Sequence, residues 1–308
     1  MAMIRRVADV VFDQSERFKF LLKFGFYNHL TDKEFLIRAY KAFMGKELDL
    51  DNPTTFNEKL QWLKLYDHNP AYIKMVDKYE AKSYITDKLG DDTHIIPTIG
   101  LWDTFDEIDF SKLPCQFVLK CTHDSGGLVI VRDKTNIDVK AAKRKIDKCL
   151  KRNYFYNTRE WPYKHIKPRI IAEPYIEDTT YHELRDYKFF CFDGEVKALF
   201  VATERQVAGE DTKFDFFDDN YNHLDIINGH PNASIPPEKP VNFEKMKELS
   251  SLLSKGIPQI RVDFYEADGK LFIGELTLCH WSGLIPFEPE EWDRVFGSWI
   301  KLPNQTKQ

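Results

Sequence analysis

The sequence predicts an α+β fold, and three observations carry that prediction. Up to about residue 66 the apolar residues recur at helical spacing. From about residue 95 the pattern changes to short apolar runs of strand type. Asp193-Gly194 and Asp268-Gly269 each separate two such runs, and Asp-Gly in that setting is a strong hairpin signal. Antiparallel hairpins with helices interspersed fit α+β better than a doubly wound parallel sheet. At about 100–200 residues per domain, 308 residues make two domains or one with several lobes.

The elements follow in order. Residues 1–26 are mildly basic and aromatic, with Arg5, Arg6, Arg17, Lys19 and Lys23 against Asp9, Asp13 and Glu16. A helix packed on the body is the expectation here, and a membrane-surface helix the alternative. Thr31 with Glu34, and Thr55 with Glu58, have the spacing of capping boxes, each opening an apolar helix. Residues 70–89 form two short helices that end at Gly90. Residues 116–121 and 128–131 are strands around a glycine turn. A basic amphipathic helix over 138–152 and a short strand over 169–174 come next. The runs 184–192 and 195–203 flank the first Asp-Gly, and 259–266 and 270–277 the second, with a helix over 243–255 between them. The tail after Pro303 is polar and is expected to fray.

Composition narrows the function. The net charge is -5, from 44 basic and 49 acidic residues, which argues against nucleic acid as the main partner. The five cysteines are odd in number and lack C-x-x-C spacing. A disulfide framework or structural zinc site is therefore not expected, and the thiols fit a cytoplasmic protein. No apolar run approaches the roughly 18–20 residues that span a bilayer. The start is too soon charged for a signal peptide. Aromatic residues reach 14%, a level shared by aromatic cores and carbohydrate-facing surfaces. The segment 201–235, rich in Asp, Asn, Phe, Tyr and His and densest in Phe and Asp over 214–221, fits a sugar-facing surface or a long connector equally well.

Four stretches carry chemistry. In the first, Lys120 leaves an apolar strand and is followed by Thr122-His123-Asp124-Ser125-Gly126-Gly127. The glycines let backbone N–H groups approach an anion, and the lysine supplies a point charge for phosphate. An ordinary hairpin with an exposed lysine is the alternative. In the second, Asp263 and Glu275 lie on the two strands of one hairpin, with Thr277 two residues on. Mg²⁺ commonly takes one or two carboxylates plus nucleotide phosphates. A two-residue Asp268-Gly269 turn would put the carboxylates on opposite faces. A three-residue loop with Gly269 left-handed would put them on one face. The third stretch, Glu173-Pro174-Tyr175-Ile176, is a strand exit that could hold an adenine by backbone and apolar contacts. In the fourth, Asp186 and Lys188 share one strand face, suited to ribose and phosphate or to a plain cross-strand pair. His123 and His280 flank these stretches as acid–base groups or as structural histidines.

Taken together, Lys78, Lys120 with its glycine loop, Glu173, Asp186, Lys188, Asp263 and Glu275 stand in the order found in the ATP-grasp superfamily. The strings 52–64, Asp77-Lys78-Tyr79, Phe117-Val118-Leu119-Lys120-Cys121, Asp186-Tyr187-Lys188-Phe189, Arg261-Val262-Asp263-Phe264-Tyr265 and Gly274-Glu275-Leu276-Thr277 resemble, more narrowly, the TupA-like ATP-grasp family of bacterial surface-polysaccharide loci. The resemblance covers roughly residues 45–300. It implies two α+β lobes clamping ATP between antiparallel sheets. It divides the chain into a helical region over 1–70, a small lobe over 71–172, a large lobe over 173–303 and a tail over 304–308.

The resemblance also implies roles. Lys78 and Lys120 bind phosphates, and Ser125, Gly126 and Gly127 form the loop above them. Glu173, Tyr175 and Ile176 make the adenine hinge, and Asp186 or Glu183 meets the ribose. Lys188 and Arg205 face the phosphates or an acyl phosphate. Asp263 and Glu275 hold Mg²⁺, and Thr277 stands where many ATP-grasp enzymes have Asn. The implied activity is a carboxylate–amine ligase that joins an amino acid or other amine to a uronic acid or glycan-linked carboxylate. The rival readings are a phosphotransferase, a glycosyltransferase and a non-catalytic nucleotide-binding scaffold. A cytoplasmic location follows, with contact to the inner face of the membrane as an option.

Overall fold

The computed structural model describes residues 13–124, 126–181, 183–205 and 211–303. Ser125, the first twelve residues and the polar tail lie outside the described residues. Helix α1 (Gln14–Leu22) starts at Asp13, whose carboxylate accepts from the Ser15 and Glu16 N–H groups. Helices α2 (Asp32–Met44) and α3 (Phe56–Tyr66) open on full capping boxes at Thr31 with Glu34 and Thr55 with Glu58. The spacing had called for both. Helices α4 (Ala71–Val76) and α5 (Glu80–Leu89) follow, and Gly90 closes α5 in the left-handed region.

The first sheet holds β1 (Gly100–Trp102), β2 (Phe117–Cys121), β3 (Leu128–Val131) and β4 (Ile170–Pro174), with helices α6 (Val139–Leu150) and α7 (Phe155–Thr158) inserted before β4. Its strand order is β1-β4-β2-β3, antiparallel throughout. Along β2, Phe117, Leu119 and Cys121 are buried against Ala142, Ile146 and Cys149 of α6. Val118 and Lys120 therefore point away from α6 and leave the other face of the sheet open.

The second sheet holds β5 (Asp186–Phe192), β6 (Glu195–Thr203), β7 (Lys213–Asp218), β8 (His223–Leu224), β9 (Ile260–Ala267) and β10 (Lys270–Thr277). Its order is β10-β9-β5-β6-β7-β8, again antiparallel. Helix α8 (Phe243–Ser254) precedes β9, and α9 (Glu291–Trp299) follows β10. One face of this sheet packs on α4, α5 and α8 through Phe189, Leu199, Val262 and Phe264. Part of the opposite face packs on α3 and α9 through Phe190, Phe200, Phe216 and Phe296.

Strands β1, β7 and β8 and helix α9 are additions to the expected elements. Strand β7 takes up Lys213–Asp218 of the segment expected as a long connector. Phe214, Phe216 and Phe217 are buried, and so is Asp215, which accepts from the Ala233 N–H at 3.2 Å and contacts His223 at 3.2 Å. Acids between the rings hid the strand pattern. The boundary expected at 172/173 falls inside β4. Helices α4 and α5, expected in the small lobe, pack their apolar faces on the larger sheet.

Helix α9 meets the start of α3 at Gly297, where an added Cβ would lie 2.4 Å from the Thr54 carbonyl oxygen and 2.7 Å from the Phe56 nitrogen. Both neighbours are backbone, so the two segments must separate to admit a methyl group. We expect Gly297→Ala to lower stability by about 1–3 kcal/mol, the usual cost of overpacking. An unchanged midpoint in denaturant titration would contradict this packing.

Candidate functional site

The site begins with a register change. Lys270 pairs with Ala267, so the β9–β10 turn is the two-residue Asp268-Gly269 form. That turn alone would separate Asp263 from Glu275. The register shifts between Ile273 and Glu275, however, and Gly274 is the extra residue. Before this bulge Leu271 and Ile273 point into the apolar core. After it, Leu276 takes the core side, and Glu275 pairs directly with Asp263 on the polar face. The carboxylates do share a face, but the cause is a bulge inside β10 rather than a longer loop. Glycine is required there, because a Cβ at 274 would lie 2.6 Å from the Tyr265 ring.

The polar face carries alternating charges. Arg261 chelates Asp263, with Nε donating to Oδ1 at 2.6 Å and Nη2 to Oδ2 at 2.7 Å. Nη2 also donates to Thr277 Oγ1 at 3.1 Å. Lys188 bridges Asp263 and Asp186, reaching Asp186 Oδ2 at 2.7 Å. Arg205 Nη1 donates to the same Asp186 oxygen at 2.8 Å. Asp186 Oδ1 is buried without a hydrogen-bond partner. Burial pushes the Glu275 carboxyl up, but Lys78, Lys188 and Arg261 outweigh it and hold the group at about 2.

The smaller sheet supplies the facing wall. The Lys78 N–H donates to the Thr122 carbonyl at 3.0 Å, which fixes this lysine beside the glycine loop. Its Nζ donates to Glu275 Oε1 at 3.2 Å and to the Asp124 carbonyl at 3.0 Å, joining the two sheets. Lys120 Nζ lies 2.5 Å from Glu173 Oε2, and Lys82 Nζ lies 2.6 Å from Oε1. Burial alone would raise the Glu173 carboxyl, but the two lysines hold it below the usual range.

A cleft of about 370 Å³ runs between these walls. Lys78, Lys120 and Gly127 line one side, Arg205, Tyr265, Gly274 and Glu275 another, and Glu173, Tyr175, Ile176 and Glu183 the end. Asp186, Lys188, Asp263 and Thr277 lie beneath the wall, tied to it through Arg205 and Arg261. Glu183 accepts from the Glu204 N–H at 2.8 Å and from Arg185 at 3.3 Å. Tyr175 accepts at its hydroxyl from Arg132 at 3.2 Å.

The glycine loop is braced from below. Asp124 accepts from the Gly126 N–H at 2.8 Å and from the Cys149 thiol at 3.1 Å, and it pairs with Arg152. A Cβ on Gly127 would come within 2.5 Å of the sulfurs of both Cys121 and Cys149, so only glycine fits. His123 contacts the Cys149 and Arg152 carbonyls through Nε2, and burial lowers its pKa. His280 is buried as well. Its Nδ1 accepts from Arg261 at 2.6 Å, since a guanidinium can only donate, and Nε2–H donates to Asn228 at 2.8 Å. Both histidines are structural rather than cleft-lining groups.

Three participants escaped the sequence reading: Lys82, Arg261 and Tyr265. Lys82 stands four residues after Lys78, one helical turn away, which was the available signal. Arg261 and Tyr265 flank Asp263 at two-residue spacing, so strand alternation placed them on its face.

A family model described as TupA-like ATP-grasp matches residues 58–301. The chain belongs to the TupA-like ATP-grasp family. No curated protein matches the sequence. Among solved structures, similarity extends to the L-amino acid ligase from Bacillus licheniformis, at 15% identity and TM-score 0.46, over 74% of this chain and 49% of that one. The chain thus spans about half the length of that ligase. The D-alanine–D-alanine ligase from Helicobacter pylori matches at 14% identity and TM-score 0.41, covering 80% of this chain and 69% of that one. The corresponding enzyme from Bacillus anthracis, complexed with ATP, matches at 16% identity and TM-score 0.38, covering 73% and 58%.

Two outcomes test the geometry of this ATP-grasp site. Substituting Gly274 by Val would drive a side chain into the Tyr265 ring, so we expect a stability drop of about 1–3 kcal/mol. A Gly274→Val variant as stable as the parent would refute this packing at the bulge. Because the folded pKa of Glu173 lies below the unfolded one, its stabilisation is present above the ordinary carboxylate range and lost as pH falls through it. We expect Glu173→Gln to flatten the melting temperature between about pH 5 and pH 3. An unchanged acid limb would count against the Lys82–Glu173–Lys120 pairing.

Proposed function

We propose that the chain is an ATP-dependent carboxylate–amine ligase that works through an acyl phosphate. The observation that carries this reading is that Lys78 and Lys120 line one cleft with Glu275, whose strand partner Asp263 lies just beneath the wall. Phosphates suit the lysines and the Gly127 loop, and the hinge 173–176 suits an adenine. Glu183, on the cleft wall, is the better placed acid for ribose. Asp186 does not line the cleft, and Lys188 and Arg205 hold its Oδ2 beneath the wall.

The donor set fits Mg²⁺. Asp263 and Glu275 are opposed oxygen donors, Thr277 adds a hydroxyl, and buried Asp186 Oδ1 has an unused lone pair nearby in the network. Bound there, Mg²⁺ would neutralise phosphate charge and polarise the transferring phosphoryl group.

In the first step a carboxylate oxygen attacks the γ-phosphorus of ATP, the bond to the bridging oxygen breaks, and ADP leaves. In the second an amine attacks the acyl carbon, the C–N bond forms, and phosphate departs as the amine sheds a proton. The chain contributes position and charge rather than covalent chemistry. Lys188 and Arg205 are proposed to stabilise the acyl-phosphate oxygens, and Arg261 holds Asp263 in place. The carboxylate is proposed to be a uronic acid of a surface polysaccharide or its precursor, and the amine an amino acid. A cytoplasmic location fits the need for ATP. No helix among the described residues is long and apolar enough to cross a membrane. Phe20, Phe24 and Phe26 are exposed beside Lys23, which supports contact with an anionic membrane surface.

Thermal shift with ATP and Mg²⁺ tests the nucleotide site. Ligand at about 100 times its dissociation constant stabilises by about 2.7 kcal/mol. We expect a clear shift that Lys120→Ala and Glu275→Ala abolish. ADP release that requires both a uronic acid and an amine then establishes the ligase. Amine-independent ADP release would favour a phosphotransferase. A shift with a nucleotide-sugar but not with ATP would favour a glycosyltransferase.

A further inference from the structure

Beyond the cleft, the polar face of the larger sheet continues sideways. Tyr265 pairs with Asp186, Asp186 with Ala202, and Ala202 with Phe214, so these four residues form one row across the sheet. Tyr265 lines the nucleotide cleft, and Phe214 ends the row on the far side. Over Phe214 sits Trp281, with ring centroids 6.0 Å apart and planes at 24°. His230 completes a three-ring cluster, 4.5 Å from Phe214 and 5.8 Å from Trp281.

Trp281 is unusual in three respects. It is 40% exposed, although its neighbours His280 and Ser282 are both buried. Its backbone is left-handed, with φ at 47°, and Ser282 follows at 55°. A bulky residue seldom adopts that conformation unless its surroundings impose it. Its indole also rests on Gly229, where a Cβ would lie 3.1 Å from the indole nitrogen. The ring is thus supported from behind and held toward solvent.

The support is tied to the catalytic end. His280 donates to Asn228, which joins the 228–230 segment to the loop that carries Trp281. The same imidazole accepts from Arg261, the residue that chelates Asp263. The indole centroid lies 5.9 Å from the His280 ring. A hydrophobic platform therefore stands on the sheet face that carries Asp186, three strands across from the cleft-lining Tyr265.

We propose that Trp281, backed by Phe214 and His230, is the platform on which the sugar ring of the acceptor stacks. An aromatic face suits the C–H face of a pyranose, whereas a free amino acid offers no such surface. A ring stacked on Trp281 can send its carboxylate along the Phe214–Tyr265 row toward Arg205 and Lys188. This assignment rests on the ligase reading and adds the residue that holds the acceptor's sugar ring. The anchor is one exposed indole, so Trp281 sets acceptor binding without touching the nucleotide.

The test is direct binding of glucuronate- and galacturonate-containing tetrasaccharides, followed by calorimetry and saturation-transfer NMR. It is run with and without a non-hydrolysable ATP analogue, on the parent chain, Trp281→Ala and Trp281→Phe. We expect an acidic tetrasaccharide to bind, about tenfold or more weaker to Trp281→Ala, and nearly as well to Trp281→Phe. The ATP thermal shift should be the same in all three. Equal saccharide affinity in Trp281→Ala overturns the platform. So does absence of binding by every acidic tetrasaccharide at millimolar concentration. A lost ATP shift in the parent chain sinks the nucleotide reading instead. The saccharide titration without nucleotide decides the platform in that case too.

Discussion

Charge compensation on a buried sheet face is the constraint on which the remaining structure depends. Asp186 and Asp263 are 1% exposed, and an unpaired carboxylate at that depth is costly. Each acid is answered by at least one cation, and Lys188 serves two of them at once. Across the cleft the pattern repeats with the roles reversed: one acid, Glu173, answers Lys82 and Lys120. Lys78 closes the circuit by pairing across the gap with Glu275. Neither wall could carry its charges without such partners. A polyanion that draws Lys78 and Lys120 to itself would release Glu275 and Glu173 in the same event. On the proposed nucleotide reading, phosphate and divalent-cation binding would be coupled through Glu275, because the carboxylate set free by one would be a ligand for the other.

The geometry that supports this circuit is a single inserted residue. Strand β10 has to bury Leu271 and Ile273 on one side and then present Glu275 and Thr277 on the other. A regular strand cannot change sides with the same odd-numbered series. The bulge at Gly274 makes the change, and Tyr265 packs into the space a side chain would have taken. Tyr265 is in turn held neutral, since the Asp186 charge and burial both push its phenol up. The same ring therefore fills the bulge and forms cleft wall. Gly127 plays the matching part on the smaller sheet, where two cysteine sulfurs occupy the place of its missing side chain.

The sequence showed local features well and long-range ones poorly. Both capping boxes, the Gly90 stop and the two Asp-Gly turns are contacts between near neighbours, and each was visible in spacing alone. The order of the charged residues was visible too, because strand alternation and the string pattern place Lys120, Asp186, Lys188, Asp263 and Glu275. The bulge was not. The Asp268-Gly269 turn left two parities open, and nothing local at Ile273-Gly274-Glu275 distinguishes a bulge from a weak strand position. Strand β7 was hidden for a related reason: Asp215 is buried by virtue of His223 and Ala233, partners that come from later in the chain. Lys82 was missed because its partner Glu173 is brought near only when β4 joins the sheet.

The two halves of the site differ in how they are built, and that difference bears on what each can recognise. The half proposed for the nucleotide is made of strand interiors and glycines at which added atoms would strike a ring or a sulfur. The half around Trp281 is made of loop ends, held by side-chain hydrogen bonds from Asn228 and Gln61 to neighbouring carbonyls. Substituting an exposed ring there changes the surface offered without disturbing the sheets beneath. His280 links the halves while remaining fixed in one tautomer, since Arg261 can only donate to Nδ1 and burial beside Arg261 keeps the ring neutral. Protonating it would place two cations face to face in the core. The link therefore transmits position and not charge, so the surface around Trp281 can vary while Arg261 and Asp263 stay set.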